Sequence, residues 1–203
     1  MERAWHIGNN TPLKWPTQVV PRGSGPFLRA ASLGPLELVV GLWSLIPHWS
    51  KVPRLKYSTN NARSEELAAK PSYQGAWRSG QRCIIPATSF DEPNWETGKN
   101  IWWRFRRADG QPWGLAGLYH PWVNKQTGEI LETYTMLTVN ADDHPLMSRM
   151  HKPDPSLPPD RQDKRSVVAI EQADLEQWLF GSQAAARELF RPPAMEVIEA
   201  GPV

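Results

Sequence analysis

The residues able to do chemistry fall in four short polar islands beside apolar stretches: Asn60-Asn61-Ala62-Arg63, Asp91-Glu92, His144, and His151 with Lys152. An asparagine amide offers a donor and an acceptor side by side, and an arginine offers a planar fork suited to phosphate. Asn61 and Arg63 therefore read as a holder for a reactive group beside an anion. The same stretch, "STNNARSEE", reads equally as a turn entering a helix, with Asn61 or Ser64 as the N-cap and Arg63 on the surface. Glu92 follows the apolar run "CIIPATSF", where loss of water suits a carboxyl to general-acid work; an acid on an exposed loop is the alternative. In "HPLMSRMHKP" the two histidines are seven apart, which is no common metal-ligand spacing, and no cysteine stands near them, so no metal and no cofactor is expected. His151, between Arg149 and Lys152 in a proline-rich stretch, reads as a proton shuttle near an anion. Cys83 lies inside "RCIIPA" and reads as an inert, buried thiol.

Such islands act together only if strands and turns bring them to one place. "WPTQVVPRG" and "LELVVGLWSLIPHW" read as short strands broken by proline and glycine, with a buried strand at 38–46. "SEELAAKPSYQGAWRSG" reads as a short helix capped by serine and interrupted by proline. "RCIIPATSF" is a further buried strand. Three more strands are expected at 100–107, 113–119 and 132–139, joined by the turn-forming Ala-Asp-Gly-Gln and Asn-Lys-Gln-Thr-Gly-Glu. "KRSVVAI" adds a strand, and "EQADLEQWLFG" is an amphipathic helix with Leu175, Trp178 and Leu179 on one face. "MERAWHIGNN" reads as the last turns of a helix. The expected class is α+β: a single domain over 1–203 with a curved or barrel-like, mostly antiparallel sheet and a few short flanking helices.

Composition agrees with a folded domain. The chain has 203 residues, 40% hydrophobic and 22% charged, and its 20 prolines and 14 glycines imply many short elements. No apolar run reaches the roughly 18 residues of a membrane span and no secretory leader is visible, so the expectation is a cytoplasmic monomer with no membrane partner. One cysteine excludes an internal disulfide and suits a reducing compartment. A net charge of +2 is too mild to identify a nucleic-acid partner, but 11 tryptophans exceed what a core needs and leave rings for stacking on bases.

Taken in order, "GLWSLIPHWSK", "NNARSEE", "RCIIPATSFDEPNW", "WGLAGLYHPW", "YTMLTVNADDHPLMSRMHKP" and "KRSVVAI" resemble the SRAP family, the SOS-response-associated peptidase domain, from about Pro16 to Leu179. The resemblance implies a DNA-damage protein that binds abasic sites in single-stranded DNA and at single-strand/duplex junctions and joins covalently to them. In that family a cysteine follows the initiator methionine; its amine and thiol attack the ring-opened aldehyde and close a thiazolidine. The resemblance makes Asn61 the residue that positions that cysteine, Glu92 the proton carrier in ring opening and imine formation, and His151 the catalytic histidine, with His144 as its competitor. It makes Arg63 and Arg165 DNA contacts, and Trp49 and Pro16 wedges against the bases beside the lesion.

This chain departs from the family at several points. Met1 is followed by Glu2, and "ERAWHIG" resembles the end of the helix that follows the missing strand. The expectation is a true start some tens of residues upstream; a member without crosslinking chemistry is the alternative. About ten residues, "PDPSLPPDRQ", are inserted between His151 and the arginine strand. Trp-Ser-Leu and Phe-Asp-Glu-Pro replace the family's Trp-Gly-Leu and Phe-Tyr-Glu-Trp at the DNA cleft. Besides crosslinking, two functions stay open: a noncovalent lesion-binding module and a thiol autopeptidase.

Overall fold

The computed structural model describes residues 14–31 and 36–203. The helix end expected at 1–10 lies outside them. The first strand, β1, is Ser24–Ala30 and pairs antiparallel with β2, Leu36–Trp43. Next come β3 (Asn61–Arg63), α1 (Pro71–Arg78), β4 (Arg82–Ala87) and β5 (Phe90–Asn94). The long strands β6 (Ile101–Arg107), β7 (Trp113–Val123) and β8 (Ile130–Asn140) follow. The chain then runs through β9 (Arg165–Val167), α2 (Leu175–Phe180), α3 (Gln183–Arg187) and β10 (Ile198–Pro202).

Strands β2-β1-β4-β7-β8 form a sheet, and a parallel pairing of β2 with β8, Leu42 opposite Thr133 and Trp43 opposite Tyr134, closes it into a five-stranded barrel. The closing seam depends on Gly41. A Cβ there would stand 2.8 Å from the Glu132 carbonyl oxygen and 2.9 Å from the Phe27 ring, so a side chain would force β2 and β8 apart. The far half of β8 carries two short additions: β3 runs parallel to it and β9 antiparallel. A separate three-stranded sheet has the order β10-β6-β5.

Alternation along the barrel strands sorts the core. Leu28, Ile84, Ala116 and Leu118 pack against Trp77 of α1 and Trp178 of α2, while Phe27, Cys83 and Tyr134 cluster on the opposite face. Phe90 joins the two sheets: it stacks on Phe105 of β6 (centroids 5.0 Å apart) and lies 5.6 Å from Trp113 of β7. Among the described residues no helix is long and apolar enough to cross a membrane.

The α+β class with a closed, mostly antiparallel sheet is the one expected, but local boundaries differ. Residues 15–23, read as a strand, form bends and turns, and the strand begins at Ser24. The apolar run at 38–46 leaves the sheet after Trp43; Leu45 and Ile46 are buried because their N–H groups donate to the Thr59 carbonyl and to Thr133 Oγ1. Pro71 starts α1 at its first turn, where a missing N–H costs nothing, and so does not interrupt a helix. Ser64–Glu66 is a 3₁₀ turn with no side-chain cap, so the capping reading of Asn61 and Ser64 does not hold. Asn61 belongs to β3.

Trp178 has no exposed surface, and its indole N–H donates to the Cys83 carbonyl at 2.9 Å, tying α2 to the barrel. Trp178→Ala is expected to cost about 3–5 kcal/mol. Trp178→Phe, which keeps most of the packing but strands the carbonyl, should cost about 1–3 kcal/mol. Urea unfolding checks both; near-equal midpoints for the two variants would remove the hydrogen bond and the lost ring volume as separate contributions.

Candidate active site

Strand period places Glu92 on the same face of β5 as Phe90, and Phe90 is fixed by its stacking on Phe105. Asp91 therefore points the other way, where both its carboxylate oxygens accept from Arg104 at 2.8 Å. The Asp91-Glu92 island is split: Asp91 braces β5 against β6, and Glu92 is left for the site.

His151 reaches Glu92 through its main chain. After the 3₁₀ turn Met147–Arg149, Met150 makes an isolated antiparallel bridge to Asn94, and the His151 N–H donates to the Pro93 carbonyl at 2.6 Å. His151 sits at φ 62°, in the left-handed region that non-glycine residues rarely occupy. Such a conformation costs about 1–3 kcal/mol and persists only where the surroundings enforce it. The result is a contact of 3.0 Å between His151 Nε2 and Glu92 Oε2. Glu92 is mostly covered, with 18% of its side chain exposed, and His151 keeps 35%. A ring N–H donating to a carboxylate at this distance is an arrangement through which a proton can pass either way. His151 Nδ1 is buried with no hydrogen-bond partner among the described residues.

His144 is occupied elsewhere. Its Nδ1 accepts from the N–H groups of Leu146 (3.2 Å) and Met147 (3.0 Å), and its Nε2 lies 3.0 Å from the Pro193 carbonyl. These bonds need a neutral ring with the proton on Nε2, capping the turn that leads to His151. The structure gives His144 this bracing position and puts His151, not His144, against Glu92.

Arg63 and Asn61 flank the buried Ala62 on β3, so both project from its exposed face. The Arg63 guanidinium is ion-paired with Asp163, which also meets Arg165 at 3.1 Å. Arg165 further binds Glu65 (2.8 Å) and the Thr138 carbonyl (2.8 Å), which leaves it only 16% exposed against 51% for Arg63. The Glu65 carboxyl is held below its ordinary value: burial, the largest single influence, works against this, and the Arg165 bond and charge together with main-chain N–H donors, Asn140 among them, outweigh it. The Asn61 side chain makes no hydrogen bond among the described residues, while its carbonyl accepts from Tyr73. Trp49 is exposed, and its indole N–H donates to the Pro71 carbonyl at the start of α1. Pro16 is exposed near the beginning of the described stretch. Cys83 is wholly buried, and burial pushes its thiol well above the ordinary value.

Direct contact thus joins Glu92 to His151, and Asp163 joins Arg63 to Arg165. The two groups meet through Lys164, whose ammonium donates to the carbonyls of Met150 (2.8 Å) and His151 (2.6 Å). Asp142 holds this segment by accepting from the N–H groups of Asp163 and Lys164. Sequence reasoning missed Asp142, Asp163 and Lys164. The signal for Asp142 was present in "NADD" after a strand, a turn-forming cluster whose carboxylates seek backbone N–H groups. On either side of His151, Arg149 pairs with Glu96 and lies 5.2 Å from the Trp103 ring centre, and Lys152 lies 5.5 Å from that of Trp95.

Comparison with known proteins gives the fold and these residues a context. Residues 4–203 match the family described as SOS response associated peptidase (SRAP). The chain is 36% identical over 123 residues to abasic site processing protein YoqW of Bacillus subtilis, an alignment covering 60% of this chain and 53% of that protein. It is 28% identical over 153 residues to abasic site processing protein HMCES of Gallus gallus, covering 61% and 45%. The chain spans about half the length of the curated relatives it matches. A crystal structure of a Bordetella bronchiseptica protein superimposes with a TM-score of 0.88 at 33% identity, over 100% of this chain and 93% of that one. One from Bacteroides thetaiotaomicron gives 0.73 at 25% identity, over 90% and 74%. With a family match along nearly its whole length and a barrel shared with these structures, the chain belongs to the SRAP family of SOS response associated peptidases.

Proposed function

We propose that this protein processes abasic sites in DNA, binding them in single strands and at single-strand/duplex junctions and joining to them through an N-terminal cysteine that the given chain does not include. The observation that carries the reading is the 3.0 Å contact between Glu92 and His151 in a member of a family whose named relatives are abasic site processing proteins. In this reading Glu92 and His151 move the protons. Opening the sugar needs a proton taken from the anomeric hydroxyl and one delivered to the ring oxygen. The cysteine amine then adds to the aldehyde, and a proton delivered to the hydroxyl of the adduct lets it leave as water, forming an imine. Attack of the sulfur on the imine carbon, with a proton restored to the nitrogen, closes the thiazolidine; aldehyde and cysteine give one product and one water. Asn61, whose amide has no hydrogen-bond partner among the described residues, orients the cysteine.

Arg63 takes a phosphate of the strand. Its guanidinium, half exposed and ion-paired with Asp163, would exchange one anion for another when DNA arrives. Arg165, shared among Asp163, Glu65 and Thr138, is the second arginine of this DNA-binding face and also holds Asp163. Trp49 and Pro16, both exposed, stack against bases next to the lesion.

A noncovalent reading also has an observation in its favour: Cys83, the single cysteine of the given chain, is buried in β4 and its thiol is pushed up, so it offers no nucleophile. The given chain should bind abasic DNA without a denaturation-resistant crosslink. A stable adduct that disappears with Cys83→Ser would overturn this.

Binding to single-stranded DNA should weaken steeply between about 50 and 200 mM salt, as expected where phosphate contacts release counterions. Arg63→Ala should lower affinity alike for all sequences and flatten the salt slope by about one counterion. Fluorescence anisotropy checks it; affinity indifferent to salt would sink the phosphate role.

With an N-terminal cysteine restored by the upstream sequence, the protein should crosslink to abasic single strands. Glu92→Gln and His151→Ala should each slow the reaction by about 10² to 10⁴-fold, Asn61→Ala should also slow it, and His144→Ala should act through stability alone. Time courses on denaturing gels decide the matter: wild-type rates in all three site variants would leave the fold without the proposed chemistry.

A further inference from the structure

Among the described residues Lys164 is the one buried lysine, 8% exposed, and its ammonium is spent on main-chain carbonyls. Burial pushes it below its ordinary value, with the Asp142 carboxylate opposing. An apolar side chain of similar length would fill the same space without removing a charge from water, so packing alone does not account for a cation here. Its two acceptors do. They are the carbonyls of Met150 and His151, the residues that carry the chain into the left-handed conformation at His151.

His151 is consequently clamped on both sides. Its N–H is held by Pro93, the neighbour of Glu92 on β5, and its carbonyl by Lys164, the neighbour of Arg165 on β9. Among the described residues the ring itself has one polar contact, Glu92, and an unpartnered Nδ1. That single ring contact leaves the strained backbone to be held by the main-chain clamp. We infer that Lys164 is a positioning residue for the Glu92–His151 pair: by holding the carbonyls of Met150 and His151 it keeps the backbone in the conformation that presents Nε2 to Glu92. Without the ammonium, His151 relaxes toward an ordinary conformation and its ring leaves the carboxylate.

The position of the ring can be read without any DNA chemistry. In the full chain, the imidazole NMR signals of His151 are assigned by their loss in His151→Gln. Glu92→Gln should displace these signals in the native background and in Lys164→Arg, which keeps a cationic donor. It should leave them unmoved in Lys164→Met, where the pair is already apart. The inference is overturned if Glu92→Gln displaces the His151 signals in Lys164→Met as far as in the native protein. Should the methionine variant fail to fold, Lys164→Gln, an uncharged donor one atom shorter, carries the same expectation and the same refutation.

The consequence for catalysis rests on the function proposed above and has its own readout. With the N-terminal cysteine restored, Lys164→Met should slow crosslinking by about 10²-fold, leave affinity for DNA carrying a stable abasic analogue unchanged, and be largely rescued by Lys164→Arg. Loss of the Glu92–His151 coupling with a native crosslinking rate would refute the catalytic role of the pair while supporting the positioning by Lys164. Retained coupling in Lys164→Met refutes the positioning whatever the rate.

Discussion

Strand β8 has four strand partners among the described residues, and its pairing capacity constrains everything placed around the site. Its near half is bonded to β7 on one side and, across the glycine seam, to β2 on the other. Closure of the barrel consumes those edges. Only the far half, Met136 to Asn140, is left to accept β3 and β9, and it accepts them on opposite edges at Thr138: Arg63 is opposite Thr138 on one side and Val167 on the other. The tether of Arg63 and Arg165 to one carboxylate follows from this geometry. A barrel that closed one pair further along β8 would displace β3 and separate the two arginines.

Glu92 depends on a different constraint, the seating of the small sheet on the barrel. Phe90 is held between Phe105 and Trp113, and the Trp113 indole N–H donates to the Phe105 carbonyl at 3.3 Å, so an aromatic wedge fixes β5 relative to β7. Met147 and Met150 pack with Phe105 in the same cluster, which brings the turn before His151 down onto that wedge. The carboxylate and the imidazole are thus referred to one aromatic platform, whereas Arg63 and Arg165 are referred to β8. Under the proposed function, the proton-transfer pair would need tolerances far tighter than an arginine facing a flexible phosphate, and the rigid aromatic seat would serve the more demanding of the two.

The sheet was legible where strands are long and apolar. β4, β7 and β8 carry runs of β-branched and aromatic residues that period and propensity identify. β5 was hidden because Asp-Glu-Pro-Asn has little strand propensity; it is a strand because it pairs antiparallel with β6, where Asp91 also meets Arg104. β10, Ile-Glu-Ala-Gly-Pro, reads as a turn and is held in the sheet by pairing with β6. At the site, Glu92, His151 and Arg165 were reachable through order and spacing of motifs, but Asp163 and Lys164 were not. Three consecutive charges ordinarily mark a solvated surface, and the burial of Lys164 among them arises from contacts with Asp142, Met150 and His151, none of them sequence neighbours. His144 shows the converse: alone in the sequence it rivals His151, and only the two backbone N–H groups and the Pro193 carbonyl around its ring distinguish them.

The segment between His151 and β9 tests whether the site is built from the chain's continuity or from its contacts. Residues 153–162 close on themselves. Gln162 accepts the Asp154 N–H at 2.7 Å and donates to the carbonyls of Leu157 (3.1 Å) and Pro158 (2.8 Å), so the loop leaves and returns at nearly one point. Closing a loop of this size costs only slightly more than closing a shorter one, because the entropy grows with the logarithm of length. The two ends are then joined by Lys164 and His151 themselves, thirteen residues apart in the chain and 2.6 Å apart in space. The site therefore tolerates a change in the connecting segment as long as this clasp is made, and the left-handed residues on either side of the loop, His151 and Asp163, are where the chain turns out of the site and back into it.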